Sequence, residues 1–292
     1  GDVYKRQRNS SPEDKPQFLR DAGMSLMRVR RYMEMLQSGF PACSQECDDV
    51  PLCKGGDLSI PMLLAAYGKG IFPWFNEGDP VLWWSPAPRC VLLPELYHLP
   101  KRAARYLKKT PFTFTMDLCF RRVIENCART RSMTWITDDV LSAYCDLHDA
   151  GFAHSIEAWL NGKLAGGLYG VALGRAFFGE SMFHLVPEAS RGSLNALVGL
   201  LRLRGVTILD CQQRTQHIMD QGGVMLQREE FESRLDDALE PRPDSDDALT
   251  MEYMFLGGRD GVADPLDDAW PYLPWRTHYH YTAGHWEPDG TR

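Results

Sequence analysis

No stretch of this 292-residue chain approaches the roughly 18 consecutive apolar residues that a membrane-spanning helix requires, and no apolar signal segment precedes the body. Eight cysteines are present, but without regular spacing, which argues against a disulfide framework. The expected compartment is therefore the cytoplasm, with reduced thiols and no membrane partner. Cys43, Cys47 and Cys53, spaced four and six apart without a nearby histidine, match no zinc template, so no metal is expected. Excess positive charge is also missing. A net charge of −7 excludes wholesale coating of DNA, although a local basic patch on an acidic protein still suits RNA.

What is there centres on Gly151 to Phe183. Ser155–Leu160 and Lys163–Leu173 are apolar runs separated by Asn161-Gly162, a dipeptide that tolerates the positive φ of a tight hairpin turn. A second reversal at Gly174-Arg175 leads into a third strand, Ala176–Met182. Within it the acid Glu180 stands among Phe177, Phe178, Met182 and Phe183. A buried carboxylate there needs a partner, whereas strand alternation alone leaves it free to face solvent.

Upstream, residues 1–50 read as an arm, partly disordered or helical, with Phe18, Met24, Leu26, Met27, Tyr32, Met33 and Leu36 in weak helical spacing. Asp57 or Ser59 caps a helix through Met62–Tyr67 that stops at Gly68 to Gly70. Ile71, Phe72, Trp74, Phe75, Trp83 and Trp84 follow, interrupted by Pro73 and Pro80, so they form a small core or a pocket wall rather than a helix stripe. From Leu99 to Arg131 the charge balance reverses. Lys101, Arg105 and Lys108 fall on one helical face beside Arg102, a ridge suited either to solvent or to phosphates.

Thr137 or Asp138 opens a further helix, and Glu188 to Leu203 another that Gly205 closes. Val206–Leu209 reads as a short strand that delivers Asp210, Cys211 and Gln212 at its carboxyl end, with Asp210 and Gln212 on one face. Beyond Glu240, PRPDSDD reads as a linker. The aromatic tail from Trp270 is expected to be ordered only by docking on the body, with His278 and His280 at the surface rather than on a metal.

The order helix, three-strand meander, helix, strand resembles the acyltransferase fold of the GNAT superfamily. That fold implies an α+β architecture: a GNAT-like mixed sheet flanked by helices, here with a smaller N-terminal α/β domain. Pro187 to Ser193 does not carry the superfamily's pyrophosphate-binding glycine loop, so neither CoA nor another cofactor is expected. More specifically, GGDLS (Gly55–Ser59), AYGKGIFPWF (Ala66–Phe75), LWWSPAPR (Leu82–Arg89), TWIT (Thr134–Thr137), HSIEAW (His154–Trp159), GGLYGV (Gly166–Val171), GESMF (Gly179–Phe183) and LDCQ (Leu209–Gln212) together resemble the leucyl/phenylalanyl-tRNA protein transferase family. The resemblance covers roughly residues 50–235. His184 and Arg191 depart from the family pattern, which has Ser and Lys there.

That resemblance implies a small N-terminal domain over 51–110, a transferase domain over 111–240, and a linker and tail over 241–292. It implies transfer of Leu, Phe or Met from aminoacyl-tRNA to the N-terminal α-amine of proteins that begin with Arg or Lys, marking them for N-degron degradation. Trp84, Trp135 and Phe177 become walls of the apolar slot, with Met182 added from its position. Glu180 becomes the carboxylate for the terminal adenosine, and Asp210 and Gln212 the acceptor-binding and amine-orienting pair. Lys101, Arg102, Arg105 and Lys108 become the tRNA ridge. Two other readings remain: a GNAT-fold N-acyltransferase with another donor, and a non-catalytic module that recognises N-terminal residues or tRNA ends.

Overall fold

The computed structural model describes residues 34–42, 50–130, 134–240, 279–282 and 285–288. Most of the N-terminal arm, Cys43, Cys47, the linker after Glu240 and His278 lie outside them.

Asp57 Oδ1 accepts the N–H of Ser59 at 2.9 Å, a local turn that launches α1 (Ile60–Tyr67). Pro61 sits in the first turn of that helix, where its missing N–H has no partner to lose. The chain leaves α1 through Gly70, whose φ is +67°, and a Cβ there would stand 2.5 Å from the Phe231 ring. Only glycine satisfies both conditions. Three short strands, β1 (Cys53–Lys54), β2 (Phe72–Pro73) and β3 (Leu82–Trp84), form an antiparallel sheet in the order β1-β3-β2. Phe72, Phe75 and Trp83 are buried in it, and Trp74 is 38% exposed.

The rest of the chain builds a mixed sheet. Its strands are β4 (Arg89–Leu92), β5 (Thr113–Met116), β6 (Ala153–Leu160), β7 (Lys163–Leu173), β8 (Ala176–His184), β9 (Ile208–Asp210), β10 (Val224–Leu226), β11 (Tyr279–Thr282) and β12 (His285–Pro288). They run in the order β10-β4-β9-β8-β7-β6-β5-β11-β12. Every pairing is antiparallel except β8 with β9. Strand β4 falls within the segment expected for the small domain, yet its partners are β9 and β10 of the large sheet.

The helices are α2 (Lys101–Lys109), α3 (Phe120–Arg129), α4 (Asp138–Asp149), α5 (Ala189–Leu203), α6 (Gln216–Met219) and α7 (Arg228–Leu239). One core joins the sheet to apolar residues of α1, α3, α4 and α7. The second gathers Leu194, Leu197, Leu200 and Leu201 of α5 with Phe177, Leu168 and Trp286. The architecture is mixed α+β, as the order of elements in the sequence suggested.

The meander follows its turn chemistry. Asn161 and Gly162 carry φ of 52° and 71°, the left-handed pair that joins β6 to β7. At the other end of β6, buried Asp117 bonds the Ser155 N–H at 2.8 Å and His154 Nδ1 at 2.7 Å. Burial opposes its charge, but the adjoining His154 outweighs that and holds its carboxyl below the ordinary value. Buried Glu157 accepts from Thr115 and Ser155 hydroxyls at 2.5 Å and from the Leu118 and Cys119 N–H groups that open α3. The HSIEAW motif thus pins a helix start to the sheet.

Candidate active site

Glu180 owes its position to a bulge. Register between β7 and β8 shifts at Tyr169/Gly170, so that Tyr169 pairs with Ser181 while Gly170 pairs with Gly179, and Glu180 is the extra residue. Opposite it, a Cβ on Gly170 would fall 2.2 Å from the Phe178 carbonyl and 2.4 Å from the Phe177 ring, so the bulge requires glycine there. The extra residue turns the Glu180 side chain toward α1 and α4. There Tyr67 donates to Oε1 at 2.7 Å, Tyr144 donates to Oε2 at 3.2 Å, and the two phenolic oxygens are themselves in contact. Both tyrosines are fully buried.

The electrostatics follow from burial. Desolvation raises the Glu180 carboxyl to about 7, against the two phenolic hydrogen bonds, which lower it; the charge of Asp210 adds to the rise. Desolvation and then the Glu180 charge push both tyrosines well above their ordinary value. They are donors, not bases. Glu180 changes charge within the physiological range.

One strand away, Asp210 is 1% exposed. Pairing of β8 with β9 ends at Phe178 and Asp210, so Glu180 and Gln212 both lie just past the last paired residues. The Asp210 carboxylate is already occupied. Arg89 Nε donates to Oδ1 at 2.8 Å and Nη2 to Oδ2 at 2.7 Å, a two-pronged ion pair, and Nη2 also donates to the Gly70 carbonyl at 2.8 Å. The guanidinium lies 5.0 Å from the Phe72 ring centre and 4.7 Å from that of Phe231.

Gln212 was expected on the same strand face as Asp210. Instead it follows β9 in a left-handed conformation, φ 56°, its N–H held by Asp210 Oδ1 at 2.9 Å. Its Nε2 is buried and without a partner among the described residues. Cys211 packs on the opposite core, and burial raises its thiol well above the ordinary value, which suits packing rather than nucleophilic attack.

The expected slot residues divide between the two faces of the sheet. Trp84 and Trp135 pack at the margin of the core that contains Tyr67 and Tyr144. Trp84 also meets Trp74, with ring centres 5.3 Å apart, and donates to its carbonyl at 2.6 Å. Phe177 and Met182 belong to the opposite core, with Met182 paired to Leu168 across β7. Phe177 and Met182, five residues apart on one strand, share a face because they straddle the bulge. Lys101, Arg102, Arg105 and Lys108 are all on α2, and none forms an ion pair among the described residues.

Three residues of this site, Tyr67, Tyr144 and Arg89, carried no functional reading in the sequence. A signal was present for the tyrosines: a phenol on the buried face of a helix must find a polar partner. Among the described residues there is no group of three or more His, Cys, Asp or Glu side chains placed to hold a metal ion, and no helix long and apolar enough to cross a membrane.

Comparison with known proteins gives one result throughout. Residues 56–87 match the model of the leucyl/phenylalanyl-tRNA protein transferase N-terminal domain, and residues 91–236 match the leucyl/phenylalanyl-tRNA protein transferase model. The chain is 51% identical over 200 residues to the leucyl/phenylalanyl-tRNA–protein transferase of Lawsonia intracellularis, covering 67% of this chain and 88% of that one. It is 49% identical over 191 residues to that of Syntrophotalea carbinolica, covering 64% and 83%, and 46% identical over 226 residues to that of Methylococcus capsulatus, covering 76% and 87%.

Proposed function

From the premise that the chain belongs to the leucyl/phenylalanyl-tRNA protein transferase family, the N-end rule aminoacyltransferases, we propose how its own residues divide the work. The donor is an aminoacyl-tRNA and the acceptor a protein. In our reading the aminoacyl group is Leu, Phe or Met, and the acceptor begins with Arg or Lys.

An aminoacyl ester is already activated. Its carbonyl carbon needs only a neutral amine at close range; an N-terminal amine with a pKa of about 7.7–8.0 supplies one. Attack forms the amide, the ester C–O bond breaks, and the amine proton ends on the 3′ oxygen of the departing ribose. Holding both reactants in place supplies roughly 7–11 kcal/mol of the barrier reduction.

Glu180 accepts from a hydroxyl of the terminal ribose, with Tyr67 and Tyr144 fixing its direction. Trp84 and Trp135 stack the adenine side. Phe177 and Met182, on the α5 side of the sheet, wall the donor side-chain slot with Leu168. Gln212 bonds the attacking amine through its carboxamide. Asp210, whose charge Arg89 shares, acts by holding Gln212 and by supplying a residual negative field for a cationic N-terminal residue. Lys101, Arg102, Arg105 and Lys108 contact phosphates of the tRNA acceptor arm. The domain division we favour falls between Ala87 and Val91, where the two family matches part.

The observation that carries this reading is the placement of Glu180, on its tyrosine pair, and Gln212, on Asp210, just past the last paired residues of two adjacent strands. Incubation with Leu-tRNA or Phe-tRNA and an Arg-starting peptide tests it. The peptide should gain the mass of one aminoacyl residue with either donor and gain none when its first residue is acidic; an unchanged Arg-starting peptide ends the proposal.

A further inference from the structure

Arg89 is too constrained to be ordinary packing. One guanidinium ties Asp210 at the end of β9, the carbonyl of Gly70 at the turn after α1, the Phe72 ring of the small sheet and the Phe231 ring of α7. Its side chain is 1% exposed, and its remaining nitrogen, Nη1, is buried without a partner among the described residues. A buried ion pair is poor at adding stability, and an unsatisfied guanidinium N–H makes it poorer. What this arrangement does supply is direction. Both Asp210 oxygens are fixed by the Arg89 fork, and Oδ1 in turn holds the N–H of Gln212 in its left-handed conformation.

We propose that Arg89 is a positioning residue of the transfer reaction: it aims Gln212 through Asp210 and, through Gly70 and Phe72, ties that acceptor end to the unit that presents Tyr67 and Trp84 to the donor. The proposal rests on the assignment of Gln212 to the attacking amine made above. Lysine keeps the charge at position 89 but has no planar fork for the Asp210 carboxylate and the Gly70 carbonyl together. Misplacement by about 1 Å at a reacting centre costs on the order of 10²-fold in rate.

The test compares wild-type protein with Arg89→Lys, Gln212→Ala and their combination, measuring kcat and KM for an Arg-starting peptide, affinity for an aminoacyl-adenosine donor, and melting temperature. Arg89→Lys should lower kcat by about 10²-fold, with donor affinity within about twofold and peptide KM little changed. The double variant should lose no more than Gln212→Ala alone, because both act through one group. Wild-type turnover in Arg89→Lys beside an inactive Gln212→Ala, or losses that multiply, overturns the role of Arg89. Full turnover in Gln212→Ala overturns the underlying assignment and the proposal with it. If Arg89→Lys does not fold, Phe231→Leu loosens the guanidinium without altering charge: a lowered kcat at unchanged donor affinity supports the proposal, and unchanged kcat overturns it.

Discussion

Tyr67 donates to Glu180 at 2.7 Å, so the last residue of a short helix fixes the direction of a carboxylate on the bulged strand it packs against. Neither residue is meaningful alone. Without the bulge Glu180 would not face the helix, and without the phenol a partly buried acid would lose one of its two hydroxyl donors.

Donor binding should depend on pH through Glu180. Burial raises its carboxyl to about 7, so below neutrality it is protonated and its charge returns as pH rises through that value. If the carboxylate accepts from the donor ribose, affinity for an N-acetylated aminoacyl-adenosine, whose own amine cannot titrate, should strengthen from pH 6 to 8. Glu180→Gln should flatten that profile. Tyr144→Phe removes a hydrogen bond that favours the charged form and should move the midpoint to higher pH. Calorimetric titration reads all three.

Stability should depend on pH in a way set by Glu157. It is fully buried and raised to about 7 by desolvation. A carboxyl raised in the folded state binds more protons there than in the unfolded chain, so its effect is absent below the unfolded value and grows into a loss of stability as pH climbs toward 7. The loss is on the order of 3 kcal/mol for a shift of this size. Glu157→Gln should therefore reduce the fall in melting temperature between pH 5 and 7.5; an unchanged slope would show that Glu157 does not govern it.

The α2 ridge should act on the tRNA body only. Replacing Lys101, Arg102, Arg105 and Lys108 by Ala together should raise KM for aminoacyl-tRNA. The salt dependence of binding should fall by roughly 0.7–0.9 in log–log slope for each phosphate no longer neutralised. Turnover of a free aminoacyl-adenosine donor should be unaffected. Equal loss with both donors would place the defect in the fold rather than at phosphates.

Trp286 should matter more than its place in a Pro-interrupted tail suggests. It is 6% exposed, packs into the α5 core and donates to the Ala196 carbonyl at 2.6 Å. Trp286→Ala should cost about 3–5 kcal/mol, read by denaturant unfolding. Trp286→Phe should recover most of that, short of the roughly 1 kcal/mol typical of one hydrogen bond.

Much of the fold was legible because local chemistry wrote it. The Asn161-Gly162 turn, the turn that Asp57 makes with the Ser59 N–H, the cap at Thr137 and the stop at Gly205 all stand where the residue types require, although Ser59, the residue that caps α1, makes no side-chain cap bond. Glu180 was legible as an acid needing a partner, but its partners were not, since Tyr67 and Tyr144 lie far away in sequence and meet it only through helix packing. The bulge was illegible for a related reason. An extra residue in β8 is defined only against β7; unbroken alternation would have put Phe177 and Met182, five residues apart, on opposite faces, whereas the bulge brings them to one. Asp210 looked like free negative charge because Arg89, at the end of a proline-rich aromatic motif, gave no sign of reaching it. Gln212 looked like a strand residue because its left-handed turn has no Gly or Asn to announce it.

The hairpin of β11 and β12 has a consequence beyond the cost of removing Trp286. By pairing with β5, it takes the row of backbone groups that β5 would otherwise offer to a stranger. The outer strand then ends at Pro288, which has no N–H with which to recruit a further strand. An aromatic-rich tail thus moves the margin of the sheet from β5 to a four-residue strand that ends on proline, the short kind of edge that is least open to a further strand.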